Sequence, residues 1–142
     1  MPINVLLVDD SAVMRRMITR TLQLSGVPLG AVVPCANGAE ALEALRVSRV
    51  DLALVDINMP VMDGEQFLDH VRADPRLAPL PVVIVSTESS PTRVQRLRQK
   101  GALFVHKPFT PELLRDTIHS LPGLAHDPAA PTPAPPGGDL DF

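Results

Sequence analysis

Residues 52–64 read LALVDINMPVMDG, and the rest of the chain is arranged around what this stretch does. Val50, Leu52, Ala53, Leu54 and Val55 form an apolar run too short for a helix of its own. Such a run reads as a parallel strand buried on both faces. Asp56 follows at the C-terminal end of that strand, the end at which ligands bind in an open α/β sheet. Met59-Pro60 and Met62-Asp63-Gly64 then make a turn that stops the strand and launches a helix. A single aspartate in that place could simply cap the next helix. Its meaning depends on what stands at the ends of the other strands.

Working outward, the same pattern recurs. Val5–Val8 is an apolar run ending in Asp9-Asp10, with Ser11 as a helix cap. Ala12–Leu24 has helical spacing, with Val13, Met17, Ile18, Thr21 and Leu22 expected inward and Arg15, Arg16 and Arg20 outward. Ala31–Pro34 reads as a second strand and Ala39–Leu45 as a short helix. After the central stretch, Glu65–Val71 continues as a helix with Phe67, Leu68 and Val71 inward. Val82–Val85 is a fourth strand ending in Ser86-Thr87-Glu88. Pro91–Lys100 is a helix with proline in its first turn and a thin apolar face, Val94 and Leu97 among Arg93, Arg96, Arg98 and Lys100. Leu103–Val105 is a fifth strand ending at His106-Lys107-Pro108. Thr110 caps a last helix reaching Leu121, with Leu113, Leu114, Ile118 and Leu121 inward. Five strands alternating with five helices imply an α/β fold, a doubly wound parallel sheet covered on both faces by right-handed crossovers.

Composition bounds the function. A chain of 142 residues suffices for one domain with a real core. No apolar run approaches the ~20 residues that cross a bilayer, and Met1-Pro2-Ile3-Asn4 lacks the features of a signal peptide. The single cysteine, Cys35, allows no internal disulfide and reads as a small apolar residue. A cytoplasmic setting without membrane insertion is expected. All 13 Lys and Arg fall within residues 1–121, beside 13 of the 16 Asp and Glu, so the net charge of -3 comes from Asp127, Asp139 and Asp141. There is no basic stripe for nucleic acid. Trp and Tyr are absent, which leaves little for stacking bases or a flavin.

Asp9, Asp10, Asp56, Ser86 and Lys107 all fall at C-terminal strand ends, on one edge of one sheet. Taken singly each has a plainer role: Asp10 a cap, Ser86 a turn residue, Lys107 a surface charge. Together they make a chemical constellation. Three carboxylates repel unless something positive sits among them, and a hard divalent cation such as Mg²⁺ takes oxygen ligands of this kind. Lys107 suits a phosphoryl oxygen, and Ser86 supplies a hydroxyl. In that setting Asp56 is a carboxylate nucleophile for phosphoryl transfer.

The motifs VLLVDDS at 5–11, DINMPVMDG at 56–64, VVIVSTES at 82–89 and FVHKPF at 104–109 together resemble the receiver domain of two-component response regulators. The similarity runs from Asn4 to about Leu121 and is greatest to the single-domain, CheY-like chemotaxis members. It implies a flavodoxin-like sheet of order 2-1-3-4-5 and a phosphoryl group accepted at Asp56 from a histidine kinase. It implies Mg²⁺ held by Asp9, Asp10, Asp56 and the backbone carbonyl of Asn58, with Lys107 on the phosphoryl oxygens. Ser86 and Phe104 match the hydroxyl and aromatic switch positions, and Asn58 and Glu88 match positions that tune hydrolysis. A cis Lys107–Pro108 bond is implied as well. So is a target protein docking on the fourth helix, fifth strand and fifth helix, with the protein a monomer or weak dimer that catalyses only its own phosphorylation and dephosphorylation. Phe104 stands where tyrosine is frequent in chemotaxis members, which loosens any transfer of their partners.

Three alternatives compete with this reading, and the residues argue against each. An aspartyl-phosphate phosphatase would carry a second Asp two residues after the nucleophile, where Asn58 stands. A transcription factor would need a DNA-binding motif after Leu121, although a receiver cut from a longer regulator, or a phosphate sink, would look like this chain. A pseudo-receiver would lack part of the constellation. The expected organisation is a receiver domain over 1–121 and a disordered Pro-, Ala- and Gly-rich tail over 122–142, where six of 21 residues are Pro. The tail ends in Asp139-Leu140-Asp141-Phe142, readable as a short docking peptide or as a solubilising remnant.

Overall fold

The computed structural model describes residues 2–87 and 90–121. Five strands and five helices alternate: β1 (Ile3–Val8), α1 (Ala12–Leu24), β2 (Leu29–Cys35), α2 (Gly38–Val47), β3 (Leu52–Val55), α3 (Gly64–Ala73), β4 (Val82–Ser86), α4 (Pro91–Gln99), β5 (Leu103–His106) and α5 (Pro111–His119). All strand pairs are parallel, in the order β2-β1-β3-β4-β5. This is the doubly wound arrangement that the alternation predicts. The central strand β3 is fully buried, whereas β2, at the edge, is largely half-buried or exposed.

Local chemistry starts each helix. Side-chain oxygens of Ser11, Asn37, Asp63, Ser90 and Thr110 accept from backbone N–H groups three residues on. At Asp63 the bond is reciprocal, because the Gln66 side chain accepts from the Asp63 N–H. Two apolar layers then clasp the sheet. One, with Phe67, Leu68 and Leu97, lies under α2, α3 and α4. The other, with Ile18, Leu22, Leu114 and Ile118, lies under α1 and α5. Cys35 belongs to the first layer, and burial pushes its thiol up to about 11, which makes it inert.

Three residues expected inside are outside: Val13 is 58% exposed, Met17 57% and Leu113 46%. On α1 the packed stripe is Met14, Ile18 and Leu22, spaced by four. Val13 and Met17 sit one residue earlier, turned by about 100° on a helix of 3.6 residues per turn. On α5 the same shift by one residue leaves Leu114 and Ile118 buried and Leu113 out. The thin apolar face of α4 is observed too, since Leu97 alone in that helix is buried. Polar contacts supplement it. Arg96 donates both Nε and Nη2 to Glu65 of α3, at 2.6 and 2.8 Å. Lys100, just past α4, contacts Glu65 at 2.9 Å and Asp69 at 2.8 Å. The last strand residues and the residues that follow them form a rim along one sheet edge.

Candidate functional site

Hydrogen bonds of the ladder type continue one residue past β1, β3 and β5 and set the geometry of that rim. Asp9 N–H donates to the Cys35 carbonyl at 3.0 Å, Asp56 N–H to Val8 at 2.9 Å, and Lys107 N–H to Ser86 at 2.9 Å. Asp9, Asp56 and Lys107 are therefore each tied by backbone to the neighbouring strand, and Lys107 directly to Ser86. The turn after Asp56 is closed by Gly64 N–H donating to the Ile57 carbonyl at 2.8 Å. A Cβ on Gly64 would run into the Asp56 carbonyl oxygen, so only glycine fits there. Val61, in the same turn, has φ 69°, a left-handed conformation unusual for a β-branched residue.

The carboxylates converge as expected. Ligand oxygens of Asp9, Asp10 and Asp56 all lie within 4.8 Å of one another. Asp9 is buried; its Oδ1 accepts from Ser11 N–H at 2.9 Å and its Oδ2 lies 3.2 Å from Lys107 Nζ. Asp56 Oδ1 accepts from Ile57 N–H at 2.9 Å and stands 3.8 Å from the same Nζ. Asp10 is exposed at the rim. Burial, first, pushes the Asp56 carboxyl above the ordinary range; Lys107 opposes this, while Asp9 and Asp10 reinforce it. One ammonium thus meets two of the three clustered acids. An all-oxygen donor set with too little positive charge fits a hard cation such as Mg²⁺.

The remaining expected residues are placed as follows. Ser86 is buried at the end of β4, and Asn58 is exposed beside the Asp56 turn. The peptide bond between Lys107 and Pro108 is cis. Phe104 is 9% exposed, packed in the layer under α4, its ring tilted against His106 at 4.6 Å. Glu88 lies outside the described residues, as does the tail from 122 to 142. Sequence reasoning missed Arg15, expected to face solvent, whose guanidinium donates to the Asp9 carbonyl and braces that loop from α1.

The model of the response regulator receiver domain matches residues 5–119. Among curated relatives, CheY1 of Helicobacter pylori strain J99 is 34% identical, covering 84% of this chain and 97% of that protein. The two-component response regulator ORR3 of rice is 40% identical, covering 76% of this chain and 82% of that protein. Among solved structures, chemotaxis response regulator CheY4 of Vibrio cholerae superposes with a TM-score of 0.74 at 37% identity, covering 85% of this chain and 99% of that one. The chain belongs to the response regulator receiver family. Within that family it is of the CheY type, built on the same five-stranded sheet. Among the described residues no helix is long and apolar enough to cross a membrane.

Proposed function

We propose that this protein is a phosphorylation-controlled switch in which Asp56 accepts a phosphoryl group from a histidine kinase. The observation that carries this is the position of Asp56, 3.8 Å from Lys107 and inside the cluster with Asp9 and Asp10. An Asp56 oxygen attacks phosphorus, the bond to the donor imidazole nitrogen breaks, and that nitrogen keeps the electron pair. Lys107 holds a phosphoryl oxygen by a charge-assisted hydrogen bond. Asp9, Asp10, Asp56 and the Asn58 carbonyl are the groups that would hold Mg²⁺, which when bound neutralises phosphoryl oxygens. The chain acts only on itself, since Asn58 occupies the place of a phosphatase's general acid.

Ser86 and Phe104 are the switch pair in this reading. Hydrogen bonding of the Ser86 hydroxyl to the phosphoryl group shifts a population instead of making a new fold. Because Phe104 already lies in the core layer, its part is to be locked there by phosphorylation. The output surface is α4, β5 and α5, recognised by a target protein; Asn58 and Glu88 tune hydrolysis. The chemotaxis names of the bacterial relatives support a motility pathway for that target. We take 1–121 as the functional unit.

The test is incubation with acetyl phosphate and Mg²⁺, read by intact mass. One phosphoryl group per chain is expected, and none with Asp56→Asn or with EDTA. Labelling that survives in Asp56→Asn would overturn the assignment.

A further inference from the structure

A second cavity lies beside the phosphoacceptor site, between α1 and the turn before α5. It is about 240 Å³ and is lined mainly by Met14, Met17, Ile18, Thr87, Lys107 and Phe109. Most of its wall is apolar side chain. Benzene fills an apolar cavity of about 150 Å³, so there is room here for a phenyl ring. Methionine side chains are unbranched and polarizable, and they re-pack readily around an incoming group. Met17, on the cavity wall, is 57% exposed, and Val13, one turn earlier on α1, is 58% exposed, so the two form an open apolar stripe. Arg16 and Arg20, both exposed, stand three residues beyond Val13 and Met17 on the same helix and so flank that stripe.

The chain carries a segment of matching character. Asp139-Leu140-Asp141-Phe142 alternates acid and apolar residues. In an extended backbone Leu140 and Phe142 would share one side and the two acids the other. The tether is long enough. The cavity lies near the start of α5, whose nine residues span about 14 Å. Between Leu121 and Leu140 lie 19 residue steps, which with coil statistics cover roughly 24 Å. We propose that residues 139–142 dock in cis on this cavity, Phe142 filling it and Leu140 covering Val13 and Met17, with the acids turned to solvent within reach of the long Arg16 and Arg20 side chains. Lys107 belongs both to the cavity wall and to the Asp9–Asp56 cluster. Whatever repositions Lys107 therefore alters the fit of the tail, and by linkage the docked tail alters the charge balance at Asp56.

The contact needs no phosphoryl group, so it stands or falls separately from the reading of Asp56. Full-length protein labelled with ¹³C at its methionine methyl groups tests it. Wild type is compared with Leu140→Ala/Phe142→Ala, whose changes fall beyond residue 121 in the sequence. Met14 and Met17 signals are expected to move, while Met59 and Met62, packed on the opposite face of the sheet, stay in place. A synthetic peptide of residues 137–142 added to the double variant should restore the wild-type positions. Identical Met14 and Met17 signals in the two proteins would overturn the proposal. A difference that grows with protein concentration would overturn docking in cis, because it would place the segment on a second copy.

Discussion

Two clusters of acids and cations sit on this molecule, and they are built to opposite specifications. On α3 and α4, Glu65 and Asp69 meet Arg96 and Lys100, with contacts of 2.6 to 2.9 Å. The Arg96 hydrogen bonds, above all, hold the Glu65 carboxyl down at about 2. At the sheet edge, Asp9 and Asp56 share the ammonium of Lys107, at 3.2 and 3.8 Å, with Asp10 in the same carboxylate cluster, and the Asp56 carboxyl is pushed up. The first cluster is complete and fastens two helices. The second is short of positive charge, which is what the proposed Mg²⁺ and phosphoryl chemistry requires. Both clusters hold ion pairs, but their carboxyl shifts have opposite signs, which separates the fastener from the candidate site.

The largest effect should come from Lys107→Ala. Removing the ammonium leaves the buried Asp9 oxygen uncompensated, at a cost of about 3 kcal/mol in urea unfolding. Added Mg²⁺ should recover more stability in this variant than in wild type, since it supplies the missing charge. If Mg²⁺ stabilises both equally, the edge cluster is not short of charge. Next, Asp10→Asn should weaken Mg²⁺ binding by at least about tenfold, as losing an acidic ligand costs no less than losing a group that only orients one. Titration calorimetry reads this directly.

A smaller effect is expected from Asp56→Asn, which should raise Tm by a few degrees near neutral pH. A carboxyl raised in the folded state favours folding below its unfolded value, near 3.8, and that contribution is lost as pH rises through the folded value. The variant should therefore gain on wild type as pH increases from 4. The smallest change belongs to the fastener. Glu65→Gln should lower Tm by about 2–4 °C at pH 7, the range of a partly exposed ion pair in a domain of this size. A carboxyl lowered from 4.5 to about 2 stabilises above 4.5 and loses that contribution as pH falls toward 2. Wild type and variant should converge there, and the variant should phosphorylate normally.

The strands and the rim were legible because buried parallel strands are nearly pure apolar runs, and their polar ends stand out. Helix starts were legible from Ser11 and Thr110, whose side chains act locally. Val13, Met17 and Leu113 misled because each is a neighbour of a packed residue on a helix with apolar residues on more than one stripe. The bracing of α4 was hidden because Glu65 and Arg96 lie 31 residues apart, although acids and bases each spaced by four were there to be paired. The position of Phe104 depends on a side-chain rotamer and the space around it, which no one-dimensional pattern encodes.

Gly64 bears on how the molecule could transmit force. With backbone lying directly on the Asp56 carbonyl and a hydrogen bond to Ile57 closing the turn, there is no soft side chain between the nucleophile and the first residue of α3. That joint has almost no play, so Asp56 and α3 behave as the fixed jaw of a vice. On the proposed phosphorylation of Asp56, the displacement would fall to the other jaw, β4 and β5 with Ser86 and Lys107. A signal entering at the middle of the sheet is steered toward one side of it before any partner is involved.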